Sequence, residues 1–191
     1  WLGDVYKRQG YVYAEPGIYV DVALLDVASM HPTSIECLNL FGDRYTQRFS
    51  EIKQARVAIK HHDDKLAGSL LDGALKPFLE EGVDYEALAF ALKIVINSVY
   101  GLTAAKFPNA FKDPRNVDNI VAKRGALFMV DLKHFVQEQG FDVAHIKTDS
   151  IKIPRATPEI IEKVMEFGKK YGYTFEHEAT YDRMCLVNKA V

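Results

Sequence analysis

Between a strand-rich beginning and a strand-rich end, the stretch from Tyr45 to Tyr100 consists of helix-forming, charged runs broken at Asp72-Gly73 and Pro77. A first helical run from Tyr45 through Leu71 and a second from about Tyr85 to Tyr100 make a helical hairpin. Ahead of it, Tyr11 to Leu25 alternates β-branched and aromatic residues with polar ones around Glu15-Pro16-Gly17, which predicts strand, turn, strand with Asp26 at a strand end. Behind it, residues 102–116 carry Pro108, Asn109 and Pro114 and predict a loop. Val117 to Gln139 then has helical spacing of Ile120, Leu127, Val130 and Phe135, with Gly140 as its stop. Phe141 to Ile146 and Ile151 to Ile153 are strand-like runs on either side of Lys147-Thr148-Asp149-Ser150, a hairpin with an acid at its tip. Pro158 opens a last helix that runs to Tyr171, and Tyr173 to Val191 reads as strand. The order implies an α+β fold, an antiparallel sheet with packed helices carrying an inserted helical lobe.

The composition permits such a body. In 191 residues, 48% are apolar and 26% charged, the balance of an ordinary globular chain, and no run is read as approaching the ~18 apolar residues of a membrane span. Cys37 and Cys185 show neither zinc-type spacing nor a disulfide framework, so a reducing cytoplasm is the expected setting and no membrane partner is expected. A net charge of -2 does not mark a nucleic-acid surface, but charge is segregated: Lys53, Arg56, Lys60, His61, His62 and Lys65 form one cationic stretch. Trp1 to Gln9 read as a non-native scar, without the apolar core of a secretory signal.

Three segments carry chemistry. In Asp26-Val27-Ala28-Ser29-Met30-His31-Pro32-Thr33-Ser34-Ile35 a carboxylate ends an apolar strand and a small-residue turn follows, which suits a hard divalent cation beside amides for phosphate oxygens. Alone, Asp26 reads more readily as a strand-end residue capping a turn. In Lys93-Ile94-Val95-Ile96-Asn97-Ser98-Val99-Tyr100-Gly101 the spacing sets Lys93, Asn97 and Tyr100 on one helical stripe, suited to phosphate, base edge and base-pair face. The bland alternative is a solvated face stopped by Gly101. In His145-Ile146-Lys147-Thr148-Asp149-Ser150 the acid sits on a turn, where a solvated aspartate is the ordinary case.

Taken together and in this order, the segments resemble motifs A, B and C of family B DNA polymerases, which read D-x-x-S-L-Y-P-S-I, K-x-x-x-N-S-x-Y-G and Y-G-D-T-D-S. The second matches at every named position. The resemblance runs from about Gly10 to Val191. It implies a palm at residues 10–44, a fingers hairpin at 45–101 and further palm at 102–191, with the chain cut before a thumb. It implies template-directed addition of deoxynucleotides to a primer 3′-hydroxyl in DNA replication, with Asp26 and Asp149 catalytic and two Mg²⁺ ions held by Asp26, Asp149 and the Val27 carbonyl. Arg56 and Lys60 resemble the fingers pair that holds the triphosphate, joined by Lys93. Asn97 and Tyr100 would line the base-pair pocket, with backbone amides at Ser29 and Met30 meeting triphosphate oxygens. Gly101 and Lys189 would contact DNA, Lys189 as the start of a K-K-R-Y-like segment. Primer-template DNA and deoxynucleoside triphosphates are the implied partners, and replication accessory proteins a candidate class. The compact fingers look phage-like.

Two departures matter. Lys147 stands where the family has its first motif C aspartate, which predicts weaker metal binding with activity retained. His31 stands where a tyrosine usually blocks a ribose 2′-hydroxyl, which predicts weaker sugar discrimination. No acidic cluster suggests a 3′-5′ exonuclease, and no large insertion between Asp26 and Lys93 supports protein-primed initiation. The rival reading is a non-catalytic nucleic-acid-binding fragment of a polymerase.

Overall fold

A computed structural model describes residues 10–80, 82–113 and 119–187. They form two compact units, one from residues up to 34 together with those from 119 onward, the other from residues 35–118.

The first unit is built on an antiparallel sheet. Its strands are β1 (Val12–Ala14), β2 (Gly17–Val27), β3 (His145–Lys147), β4 (Ser150–Ile153) and β5 (Phe175–Leu186), in the spatial order β1-β3-β4-β2-β5. Pro16, which lacks an amide proton, separates β1 from β2 where expected, and the two are not neighbours in the sheet. The β3–β4 hairpin pairs Lys147 with Ser150, leaving Thr148 and Asp149 as a two-residue turn. Thr148 has φ of 56°, a positive angle that usually selects glycine, and the Asp149 N–H donates to the Lys147 carbonyl across it at 2.7 Å. A β-branched residue there stores strain of about 1–3 kcal/mol, and the Thr148 N–H donating to the Tyr11 carbonyl at 2.9 Å helps hold it. β3 begins four residues later than its sequence run suggests, because Phe141–Ala144 precedes the ladder and pairs only where the Ala144 N–H meets the Lys152 carbonyl at 3.0 Å and its own carbonyl takes the Glu15 N–H at 3.0 Å.

Helices α5 (Ile120–Glu138) and α6 (Pro158–Lys170) cover one face of this sheet. Along α5 the buried positions Val121, Ala122, Gly125, Ala126, Met129, Leu132 and Val136 recur at helical spacing. Met129, Leu132 and Val136, with Phe128, meet Leu25, Val27, Ile146, Ile151 and Ile153 from the strands and Val164 from α6 in a single core. Gly140, at φ 85°, ends the α5 segment in the left-handed conformation that favours glycine. Thr157 caps α6 by accepting from the Ile160 N–H at 3.4 Å, and Pro158 occupies the first turn, where no amide proton is needed. At the other end of α6, a Cβ on Gly168 would lie 2.8 Å from a Phe175 ring carbon and 3.1 Å from the Tyr173 carbonyl. Gly168→Ala should therefore lose more to overpacking, about 1–3 kcal/mol, than the roughly 1 kcal/mol gained in helix propensity. Urea unfolding should show a net loss of up to about 2 kcal/mol, and a raised midpoint would refute that packing.

The second unit contains α2 (Gly42–Lys60), α3 (Asp64–Ser69), 3₁₀ turns at Leu71–Gly73 and Lys76–Phe78, and α4 (Tyr85–Thr103). α2 and α4 pack together through Ile59 and through Ala55, Ala58 and Ala89, whose small side chains let the helices approach, with Ala67 and Leu75 completing the cluster. The single helix expected over Tyr45–Leu71 is broken at His61–Asp63. There His62 takes φ of 57° and the Asp63 carboxylate accepts from the Leu66 N–H at 3.0 Å, so a new N-cap outcompetes continuation. Asp84 caps α4 in the same way, from the Ala87 N–H at 2.9 Å.

Two sequence expectations are corrected here. Gly101 lies inside α4, which continues to Thr103, so it is no helix stop. By length and composition alone, α4 is also apolar enough to cross a membrane, contrary to the reading that no segment approaches that limit; it nevertheless carries Lys93 and Asn97 and packs against α2. Finally, a helix not foreseen in the sequence, α1 (Met30–Cys37), occupies the region read as a turn. Among the described residues neither cysteine forms a disulfide, and both are exposed.

Candidate active site

Leu25 and Val27 point into the core, so alternation along β2 turns Asp26 to the opposite face. Across the ladder, Asp26 stands opposite Ser150 of β4 on one side and Glu176 of β5 on the other. Asp149 directly precedes Ser150, and its carbonyl accepts from the Val27 N–H at 2.9 Å, tying the hairpin tip to β2 one residue beyond Asp26. Two acidic residues from distant parts of the chain are thus brought close, and both are half-buried.

The electrostatics register that proximity. The Asp26 carboxyl is pushed up to about 6, first by burial, then by the negative charges of Asp149, Glu178 and Glu176, with Lys152 pulling the other way. Sequence reasoning did not find Glu176, Glu178 or Lys152. Nothing in the run Phe175-Glu176-His177-Glu178 marks it as special until strand register sets it beside Asp26.

After Asp26 the backbone turns sharply. Ser29 has φ of 57°, and α1 starts at Met30 with Pro32 in its first turn. The Met30 side chain is buried in the core, so only its backbone faces the role expected of it. His31 is half-buried; burial lowers its pKa while the charge of Asp149 opposes that, which sets this ring in the field of the same acid. A chain of buried polar groups fixes α1: Arg124 Nη1 donates to the Tyr173 hydroxyl at 3.0 Å, that hydroxyl meets Ser34 Oγ at 2.7 Å, and Ser34 Oγ donates to the Met30 carbonyl at 2.9 Å.

The remaining candidates lie on the helical unit. Arg56 is half-buried and Lys60 exposed one turn later on α2, and the Arg56 Nε is buried without a hydrogen-bond partner among the described residues. On α4, Lys93, Asn97 and Gly101 are exposed in one stripe with Tyr100 half-buried beside it, while Ala89, Ile96, Val99 and Thr103 face inward. The polar stripe predicted from spacing is therefore present. Lys53, counted with the cationic stretch, is instead ion-paired with Glu36, and the His62 ring lies 4.1 Å from that of Tyr85. Lys189 falls outside the described residues.

Among the described residues no group of three or more Asp, Glu, His or Cys side chains converges as a metal cage. Two carboxylates with a neighbouring backbone carbonyl still fit a hard divalent ion, because Mg²⁺ is commonly held by one or two carboxylates with substrate phosphates and water completing its shell. The mutual repulsion recorded at Asp26 is what such a cation would relieve.

Comparison with known proteins agrees with this picture. No family model matches the chain. It is 22% identical over 203 aligned positions, covering 94% of its length, to DNA polymerase 1 of Sulfurisphaera ohwakuensis. Its structure superimposes with a TM-score of 0.63 on the family B DNA polymerase of the hyperthermophilic archaeon Pyrobaculum calidifontis, at 16% identity over 96% of the chain. The chain spans about a quarter of each of those proteins, 23% of the first and 27% of the second. The likeness shows the fold, that of part of a family B DNA polymerase, and both matches support the resemblance read from the three motifs.

Proposed function

We propose that this chain forms the nucleotidyl-transfer centre of a template-directed DNA polymerase, which extends a primer 3′-hydroxyl with deoxynucleoside triphosphates. On this reading the sheet unit is the palm and the helical unit the fingers. What supports it above all is the pairing of Asp26 and Asp149 on one sheet face at a strained hairpin tip, in a chain with the fold of a DNA polymerase.

Asp26, Asp149 and the Val27 carbonyl would hold two divalent ions, ordinarily Mg²⁺. When bound, such ions supply the charge that activates the 3′-hydroxyl and screens the triphosphate. The chain's own residues then position and neutralise. Arg56, Lys60 and Lys93 take up charge on the β- and γ-phosphates and the leaving pyrophosphate. Backbone amides at Ser29 and Met30 bind triphosphate oxygens, a role for which a turn leading into a helix N-terminus is suited. His31, kept neutral by burial, packs under the sugar, and Asn97 and Tyr100 line the nascent base pair. Gly101 allows the duplex to approach, and Lys189 contacts a backbone phosphate. Primer-template DNA is the partner, accessory proteins a candidate class, and the cytoplasm the setting.

Primer extension by the full-length gene product tests this reading. Extension should require Mg²⁺, stop with EDTA, and fall by at least about a thousandfold in Asp149→Ala while primer-template binding persists. Metal-independent extension, or an unimpaired Asp149→Ala enzyme, would overturn it. Tight DNA binding with no extension by the parent protein would favour the non-catalytic module.

A further inference from the structure

The departure most visible in the sequence is Lys147, yet the lysine acting on Asp26 is a different one. Lys147 is exposed, whereas Lys152 is half-buried. Lys152 pairs with Leu24 of β2 on one side and His145 of β3 on the other. Since Leu24 and Asp26 share a face of β2 and Ser150 and Lys152 share that face of β4, Lys152 is the diagonal cross-strand neighbour of Asp26. Its Nζ lies 3.1 Å from His145 Nδ1. An ammonium can only donate, so Nδ1 accepts and the His145 proton resides on Nε2. Burial and the charges of Lys152 and Lys147 also keep that ring neutral. The ammonium is thus anchored on one side while two of its protons stay available, in a region where Asp149, Glu176 and Glu178 repel the Asp26 charge and Lys152 attracts it.

We propose that Lys152, anchored by His145, is a fixed internal counter-charge that positions Asp26 and sets how tightly the acidic pair takes a divalent ion. The proposal rests on the polymerase reading above, because it presumes that Asp26 and Asp149 are the ligands. A cation one diagonal position away steadies the carboxylate when no metal is bound, and it must be outcompeted when metal arrives. Metal affinity is therefore lower than the two aspartates alone would give. Lys147, out in solvent, is screened and contributes little.

The experiment is Mn²⁺ binding to the full-length protein, read from the free-ion EPR signal at pH 8. Lys152→Met should tighten Mn²⁺ binding roughly three- to tenfold, Lys152→Arg should stay close to the parent, and Lys147→Met should change it by less than about twofold. Unchanged or weaker binding in Lys152→Met would overturn the proposal. So would an arginine variant that behaves like the methionine one, since packing rather than charge would then be at work. Asp149→Asn separates the two readings. If it weakens Mn²⁺ binding while Lys152→Met has no effect, the counter-charge fails and the metal centre stands. If it leaves binding unchanged, the acidic pair is not the metal site and both readings fall.

Discussion

Asp26→Asn is expected to abolish primer extension, by about a thousandfold or more, while making the metal-free protein more stable at pH 8. The first effect follows from losing an anionic ligand, since neutral amide oxygen cannot replace the charge that holds a catalytic cation. The second follows from the burial of Asp26 and from its position among Asp149, Glu178 and Glu176, which together push its carboxyl from 3.8 to about 6. Between those values the folded protein retains a proton that the unfolded chain has released, so stability falls as pH rises through the window and the full penalty is present above it. Undiscounted, a shift of that size corresponds to about 3 kcal/mol. Water reaches this carboxylate, and screening reduces the figure to about 1–2 kcal/mol. Urea unfolding should show the asparagine variant more stable by that amount at pH 8 and equal to the parent below about pH 4. A variant that retained extension would remove Asp26 from the catalytic pair. One that was less stable at pH 8 would mean the carboxylate serves the fold instead.

This combination, in which function is gained at the expense of stability, could not be read from the sequence, although the two acids could. Asp26 and Asp149 stood out because three segments, taken together and in order, resemble polymerase motifs; each alone reads as an ordinary strand-end or turn aspartate, and only its place beside an apolar, β-branched run was locally legible. α5 and α6 were legible for the analogous reason: Pro158, Gly140 and regular apolar spacing are local signals that tertiary packing did not override. α1 was missed because His31-Pro32 looks like a turn. Only the Ser34–Tyr173 contact, made across the chain, shows what holds that segment helical. The break at His62 was missed because Asp63 and Asp64 fit a helix interior as easily as a cap. Least visible were Glu176, Glu178, His145 and Lys152, whose importance comes entirely from cross-strand register. Register depends on which strands pair, and β2 pairs with β4 and β5, both far along the chain.

Tyr173 is where that long-range pairing is best probed, and Tyr173→Ala is expected to cost about 3–5 kcal/mol in unfolding free energy, the usual range for deleting a fully buried ring. The ring packs 4.4 Å from Phe128 and lies under the Arg124 guanidinium at 5.1 Å, so its loss opens a cavity at the centre of the sheet unit. Tyr173→Phe separates packing from hydrogen bonding. It keeps the ring but leaves Ser34 Oγ, which has no exposure to water, without the hydroxyl that meets it at 2.7 Å. The expected cost is about 1–2 kcal/mol. Because Ser34 in turn holds the Met30 carbonyl, the same variant loosens the start of α1, where the Ser29 and Met30 amides and the His31 ring are proposed to meet the nucleotide. Its primer extension should therefore show a raised KM for the incoming triphosphate with kcat less affected, whereas Phe128→Leu, which trims the core without touching the hydrogen-bond chain, should lower stability and leave KM unchanged. Equal KM values for the phenylalanine variant and the parent would show that the chain from Arg124 to Met30 stabilises the sheet unit without positioning the nucleotide.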